Sequence, residues 1–395
     1  MNTELIHTPE GVRDIYGKEY ANKLAVQNIL HERIHLYGYQ DIQTPTFEYF
    51  DVFGKEIGTT PAKDLFKFFD SDGNILCLRP DFTPSMARCA AKYFVDEDLP
   101  LRLSYVGNTF SNTSLLQGKL KETTQMGAEL MGDDSVEADG EMIAVLIDAL
   151  LQTGLKQFQV SVGEIDYFKG ICEDLALTME QESAIREYIS NKNFFAVEEY
   201  LRAEKIDEEK IEVIMAIEDL FGSVDMLEKA GQLSSHPLVQ GAIGRLKNLY
   251  DVLCAYQVEK YVSFDLGMLS SYQYYTGIIF KVYTIGIGDV VVKGGRYDKL
   301  LPYFGKNSPA IGFVIVIDDL MQALKRQKIE IPVKDHTLLI VYDGFGFKEA
   351  LKEAKVHRDK GVNVQLMRLD SSKSNEDYEL YAKNQGIHQV IYLIK

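Results

Sequence analysis

The residues with the most recognisable chemical spacing in this chain are His31, Glu32 and His35. They spell H-E-x-x-H and are followed by Gly38 and Asp41 in the manner of the longer zinc-protease pattern. On a helix this spacing sets two imidazoles one turn apart, with the glutamate as general base and a third ligand after the turn, which is the equipment of a zinc hydrolase. The same stretch argues against that chemistry. Val26, Ile29, Leu30, Ile34 and Tyr37 form the apolar stripe, and both histidines fall on the opposite, solvated side. A catalytic metal needs a dry, shaped surrounding, and no downstream segment offers a methionine turn. Solvated surface histidines are therefore expected, with no metal and no cofactor. His7, His236, His336, His357 and His388 are scattered singly. The phosphate loop G-x-x-x-x-G-K-[ST] is absent, and Gly294-Gly295 is too short a signal to stand alone. Cys77, Cys89, Cys172 and Cys254 form no C-x-x-C pair and read as small core residues in a reducing compartment.

Any such chemistry depends on the elements that carry it. From Lys18 to Tyr37 the apolar positions recur at helical spacing and Gly38 supplies the stop, which predicts an amphipathic helix. Tyr39 to Phe47 reads as an edge strand, since Pro45 has no N–H to give to a ladder. Further strands are expected at 75–78, 101–107, 122–131, 158–162, 262–266, 278–284, 290–292 and 311–316, the last within the longest apolar stretch, Pro309 to Ile317. So many strands between turns predict a mainly antiparallel sheet flanked by helices. Between about Phe168 and Tyr256 the pattern becomes helix only, with charged runs such as RAEKIDEEKIEV, and reads as a helical insertion. Lys328 to Asp335 reads as a linker. After it, strands at 337–342, 364–369 and 390–394 alternate with helices at 347–360 and 375–384, which predicts a small α/β unit with a parallel sheet.

A chain of 395 residues exceeds one ordinary core, so a main domain with appended pieces is expected. Apolar residues make up 46% and charged residues 26%, a globular balance without an apolar run long enough to span a membrane. The N-terminus MNTELIHTPEG has neither a basic cluster nor an apolar core and does not read as a signal peptide, so a cytoplasmic location is expected. The formal charge of −17 provides no overall positive field for a phosphate backbone, which argues against nucleic acid as a partner.

The segment YVGNTFSNTSLLQGKLKETTQMGAELMG, Tyr105 to Gly132, resembles the second signature motif of the histidyl-tRNA synthetases. LRPDFTPSMAR at 78–88 is similar to that family's L-R-P-E-x-T segment, and SSYQYYTGIIF at 270–280 to its R-G-L-D-Y-Y segment. KGGRYDKLLPYFG from Lys293 with PAIGFVIVIDDL to Leu320 resembles the third motif, while TPEGVRDIYG and GYQDIQTPTFE resemble the opening and the first motif. The resemblance implies an α+β fold: a class II aminoacyl-tRNA synthetase-like antiparallel sheet with flanking helices in a core of residues 1–327. That core would carry the helical insertion at about 168–256, and a reduced anticodon-binding-like α/β unit would follow at 336–395.

Function turns on the departures from that pattern. Three positions where the family carries arginines against the nucleotide and the reacting carboxylate read Ser111, Ser270 and Asp319 here. Adenylyl chemistry is mostly positioning and charge stabilisation, so losing all three implies loss of adenylation and no catalytic residues. The amino-acid positions remain suited to histidine. By resemblance, Asp81 and Thr83 would meet the ammonium, with Gln125 beside them, and Glu129 would accept from the imidazole between Tyr274 and Tyr275. Plain strand packing is the alternative for the two tyrosines, and a structural hydrogen bond for Glu129. Arg79, Arg88 and Arg296 remain in these blocks, with structural salt bridges at least as favoured as ligand contacts.

A synthetase-like core without these arginines is similar to the regulatory subunits of short-form ATP phosphoribosyltransferases. This second resemblance implies a non-catalytic subunit in the first step of histidine biosynthesis. Its partners would be the short catalytic subunit and histidine as effector, assembled as a homodimer within a hetero-octamer, with no tRNA and no membrane. An active histidyl-tRNA synthetase and a zinc hydrolase through His31, Glu32 and His35 are the competing readings.

Overall fold

The computed structural model describes residues 6–54, 60–96, 100–112, 120–269, 274–333 and 337–394. Ser270, His336 and the end of the expected linker lie outside them. The chain divides into two compact units, Met1–Ile331 and Pro332–Lys395.

The first unit opens with α1 (Gly17–His35), whose buried face is Lys23, Val26, Leu30 and Ile34. The expected single edge strand after it is two pieces. β1 (Gln40–Asp41) joins the main sheet, whereas β2 (Phe47–Tyr49) pairs in a separate small sheet with β3 (Lys67–Phe69) and β4 (Ile75–Leu78). Pro45 lies between the two pieces, where the chain changes sheets. α2 (Thr83–Tyr93) follows, and then the long hairpin of β5 (Leu101–Phe110) and β6 (Glu122–Met131), whose first strand runs three residues beyond its expected end.

α3 (Val136–Gln152) leads to β7 (Phe158–Glu164), and the helical insertion begins at once with α4 (Ile165–Asp174). It continues through α5 (Met179–Ser190), α6 (Phe194–Ala203) and α7 (Glu208–Met215). The insertion is not purely helical, because β8 (Phe221–Gly222) adds a two-residue edge to the main sheet before α8 (Met226–Gln232) and α9 (Pro237–Ala255). The core closes with β9 (Val262–Asp265), β10 (Ile278–Thr284), β11 (Val292–Arg296), α10 (Leu300–Tyr303), β12 (Ala310–Val316) and α11 (Ile317–Arg326).

Nine strands in the order β1-β5-β6-β12-β11-β10-β7-β9-β8 make the main sheet, antiparallel except for the β1–β5 and β7–β9 pairs. Its helix-covered face buries Met142, Val145, Leu146 and Leu150 of α3 against Leu130, Ile311, Phe313 and Phe280. That leaves the other face of the central strands for polar residues. Two arginines fasten the arrangement. Arg296 of β11 and Arg245 of α9 both pair with the fully buried Asp139 of α3, at 2.7 Å and 2.5 Å. Of the four cysteines, Cys254 is exposed and is not the core residue expected; it sits on the solvated side of α9.

In the second unit β13 (Thr337–Tyr342) lies between β14 (Asn363–Arg368) and β15 (Gln389–Leu393), both parallel to it. Leu338 and Ile340 pack on Ala350 and Ala354 of α12 (Phe347–Arg358). Leu339 and Val341 pack on Tyr378 and Ala382 of α13 (Asn375–Asn384). The near-continuous apolar run of β13 reflects a strand covered on both faces.

Candidate functional site

Side chains alternate along a strand, so three adjacent strands present one continuous row to the open face. On β6 these are Gln125 and Glu129, on β11 Lys293 and Gly295 with Tyr297 just beyond, and on β12 Gly312, Val314 and Val316. They form the floor of a small cleft. Pro80, Asp81 and Thr83, from the turn after β4 and the start of α2, make one wall, and Tyr274 and Tyr275 before β10 make another. The cleft thus collects Asp81, Thr83, Gln125, Glu129, Tyr274 and Tyr275 together. The two tyrosines are not on a strand; their rings lie 4.5 Å apart in the turn that leads into β10.

Glu129 is the centre of the site and is almost fully buried. Tyr297 donates its hydroxyl to Oε2 at 2.5 Å, and Thr83 and Tyr105 donate to Oε1 at 3.2 and 3.5 Å. Burial pushes the Glu129 carboxyl up to about 8, against the lowering effect of the Tyr297 bond, with Asp81 nearby pushing the same way as burial. Tyr105 and Tyr297 titrate well above the ordinary phenol range, first through burial and then through Glu129, so they stay donors. Gly312 faces Glu129 directly across the ladder, and a Cβ there would land inside the carboxylate. Only glycine lets the acid lie flat on the sheet.

Burial raises Asp81 too, opposed by the amide N–H groups of Thr83 and Phe82 and by the field of Lys293. Gln125 Oε1 is buried without a hydrogen-bond partner. A buried acceptor with no donor is costly, and a ligand N–H group would satisfy it. The described lining therefore offers the Gln125 acceptor, a carboxyl ringed by hydroxyls, and the Lys293 ammonium in register between them.

Lys293 and Tyr297 were missed at the sequence level. With β11 expected to end at Val292, nothing put Lys293, Gly295 and Tyr297 on a common face; the period of two, carried through Arg296, does so. Of the lost cation positions, Ser111 and Asp319 are not among the described residues that line the cleft, and Ser270 lies outside the described residues. Ser111 closes the β5–β6 hairpin through its N–H to Lys121 O at 2.9 Å, and Asp319 is half-buried in the first turn of α11. The remaining arginines are structural. Arg79 donates to the carbonyls of Thr44 and Asn108, Arg88 pairs with Glu48 at 2.8 Å, and Arg296 is held by Asp139. His31 and His35 are on the solvated side of α1 as expected, yet both reach Asp41.

Residues 11–320 match the family model described as histidyl-tRNA synthetase. A histidyl-tRNA synthetase from Nostoc, 20% identical, superposes with a TM-score of 0.82 over 97% of this chain and 90% of its own, a likeness of fold. Fold and cleft together define a histidyl-tRNA synthetase-like protein of the class II, α+β type.

The relatives are more particular. The ATP phosphoribosyltransferase regulatory subunit of Acetivibrio thermocellus is 39% identical over 91% of this chain and 86% of its own length. That of Clostridium acetobutylicum is 40% identical over 80% and 79%. A crystal structure described as an ATP phosphoribosyltransferase regulatory subunit/histidyl-tRNA synthetase from Bacillus halodurans, 31% identical, matches with a TM-score of 0.90 over 99% of both chains. This chain belongs to the family of ATP phosphoribosyltransferase regulatory subunits.

Proposed function

We propose that the chain regulates a separate, short ATP phosphoribosyltransferase catalytic subunit, has no catalytic activity of its own, and holds histidine in the cleft over β6, β11 and β12. The observation that carries this reading is the pairing inside one cleft of Gln125 Oε1, which lacks a donor, with a buried Glu129 surrounded by hydroxyls. An amino acid with a polar ring supplies both. Its ammonium goes to Gln125 and Asp81, and its imidazole goes to Glu129 beside the Tyr274 and Tyr275 pair. Lys293, which lines the same cleft, takes the α-carboxylate. Feedback follows if histidine prefers the inactive arrangement of the complex, a differential of about 1 to 3 kcal/mol on the usual scale of such couplings.

The imidazole arm also fits the charge state. At neutral pH Glu129 holds a proton, so a neutral imidazole entering the cleft meets an acid that donates to it, or takes its proton and leaves an ion pair. Glu129→Gln keeps the shape and loses this exchange. Loss of a charge-assisted bond of about 1.5 to 3 kcal/mol predicts roughly 10- to 150-fold weaker histidine binding by calorimetry. Equal affinity in a folded Glu129→Gln protein would remove histidine from this cleft.

A further inference from the structure

We propose that His31, His35 and Asp41 form a binding site for one divalent transition-metal ion, of the zinc class, that fastens the end of α1 to the edge strand β1. The two imidazoles stand one helical turn apart with ring centroids 4.2 Å from each other. Gly38, in the left-handed region at φ +84°, turns the chain back after the helix. Asp41 then pairs in register with Ser104 of β5, which places its carboxylate under both rings. His31 Nε2 lies 2.8 Å from Asp41 Oδ2 and His35 Nε2 lies 3.0 Å from Oδ1. All three ligand atoms fall within 4.8 Å of one another, and no other such trio of histidine, cysteine or acidic side chains occurs among the described residues.

These dimensions suit a metal. Zinc bonds of about 2.0 to 2.2 Å to nitrogen and carboxylate oxygen set tetrahedral ligand atoms about 3.3 Å apart, so the two histidine–aspartate separations of 2.8 and 3.0 Å need to open by only a few tenths of an ångström. The ion replaces the N–H···O bonds that now join the rings to the carboxylate. Ser104 Oγ donates to Asp41 Oδ1 at 3.0 Å and orients the carboxylate from behind, as partners of metal-bound carboxylates do. Side-chain exposures of 37%, 39% and 54% leave the site open to an incoming ion, with the fourth position free for water.

The same openness separates this site from hydrolytic chemistry. Glu32, which a zinc hydrolase would use as its base, is exposed and is not a member of the trio. The role is therefore fastening. The site is also distinct from the amino-acid cleft, whose lining contains none of the three residues.

The test is titration of the metal-stripped full chain with zinc by calorimetry, with cobalt absorption reporting the coordination. One ion per chain is expected, together with a rise in melting temperature on zinc addition. Ser104→Ala should weaken binding by about 10- to 100-fold, and His31→Ala or His35→Ala should weaken it further. His35 is exposed and His31 only half-buried, so the variants should keep the wild-type circular dichroism; His31→Gln provides a second, bulk-preserving check. Zinc affinity and thermal shift unchanged in a folded His31→Ala, His35→Ala double variant would overturn the site. So would zinc binding that no member of the trio affects, or no zinc binding by the wild type.

Discussion

Glu129 makes the account testable at the scale of single residues, because its burial has consequences outside ligand binding. Glu129 and Glu164, which caps α4, both titrate near 8 through burial, against an ordinary value of 4.5. In the folded chain each keeps a proton that the unfolded chain gives up at neutral pH. Their contribution to stability is complete below about pH 4.5 and is lost as pH rises through about 8, at up to about 1.4 kcal/mol per pH unit for each group. Glu129→Gln removes one of the two, so its urea-unfolding free energy should fall less steeply than the wild type's between pH 6 and 8. Parallel pH profiles would mean that Glu129 is already ionised in the folded protein. The cation losses lead to a second expectation. Three groups that act as a unit are not restored singly, so Ser111→Arg should leave histidine-dependent pyrophosphate exchange at background, and clear turnover by that variant or by the wild type would contradict the disarmed reading.

At the scale of elements, the sequence was most legible where one face of an element meets water. α1 shows its period openly, and the β5–β6 hairpin was found from its motif. α3 was not assigned, because 11 of its 17 residues are buried and a helix covered nearly all round has no polar stripe to mark its period. β8 escaped because two residues cannot show alternation. Lys293 and Tyr297 were lost with the end of β11, whose glycine pair masks the strand signal while Gly295 makes room for the Tyr275 ring. Asp41 was noted for its spacing, yet its place beneath α1 depends on pairing with β5, a contact 63 residues away in sequence. Burial also predicts how the elements are fastened. Asp139→Ala takes from Arg296, only 3% exposed, its fully buried partner and leaves it the half-exposed Asp298 and the carbonyls of Asp133 and Ser135, and should cost about 3 kcal/mol in chemical denaturation. A loss below 1 kcal/mol would mean that Asp298 and the two carbonyls suffice to hold Arg296.

For the whole molecule, a net charge of −17 favours a regulatory role over a tRNA-reading one. Regulation requires that occupancy of the cleft be felt by the partner, and linkage requires the reverse: substrates bound to the catalytic subunit should weaken histidine binding by the same factor. The chain itself need touch neither ATP nor phosphoribosyl pyrophosphate. The most direct measurement is the rate of joining those two substrates by the catalytic subunit reconstituted with this chain, followed across a histidine titration with wild type and with Glu129→Gln. The wild-type chain should activate the partner and make it histidine-sensitive, while the variant activates equally and shifts the inhibition curve to roughly 10- to 150-fold higher histidine. An unshifted inhibition curve with a folded variant, or a catalytic subunit equally active and equally histidine-sensitive alone, would contradict the account.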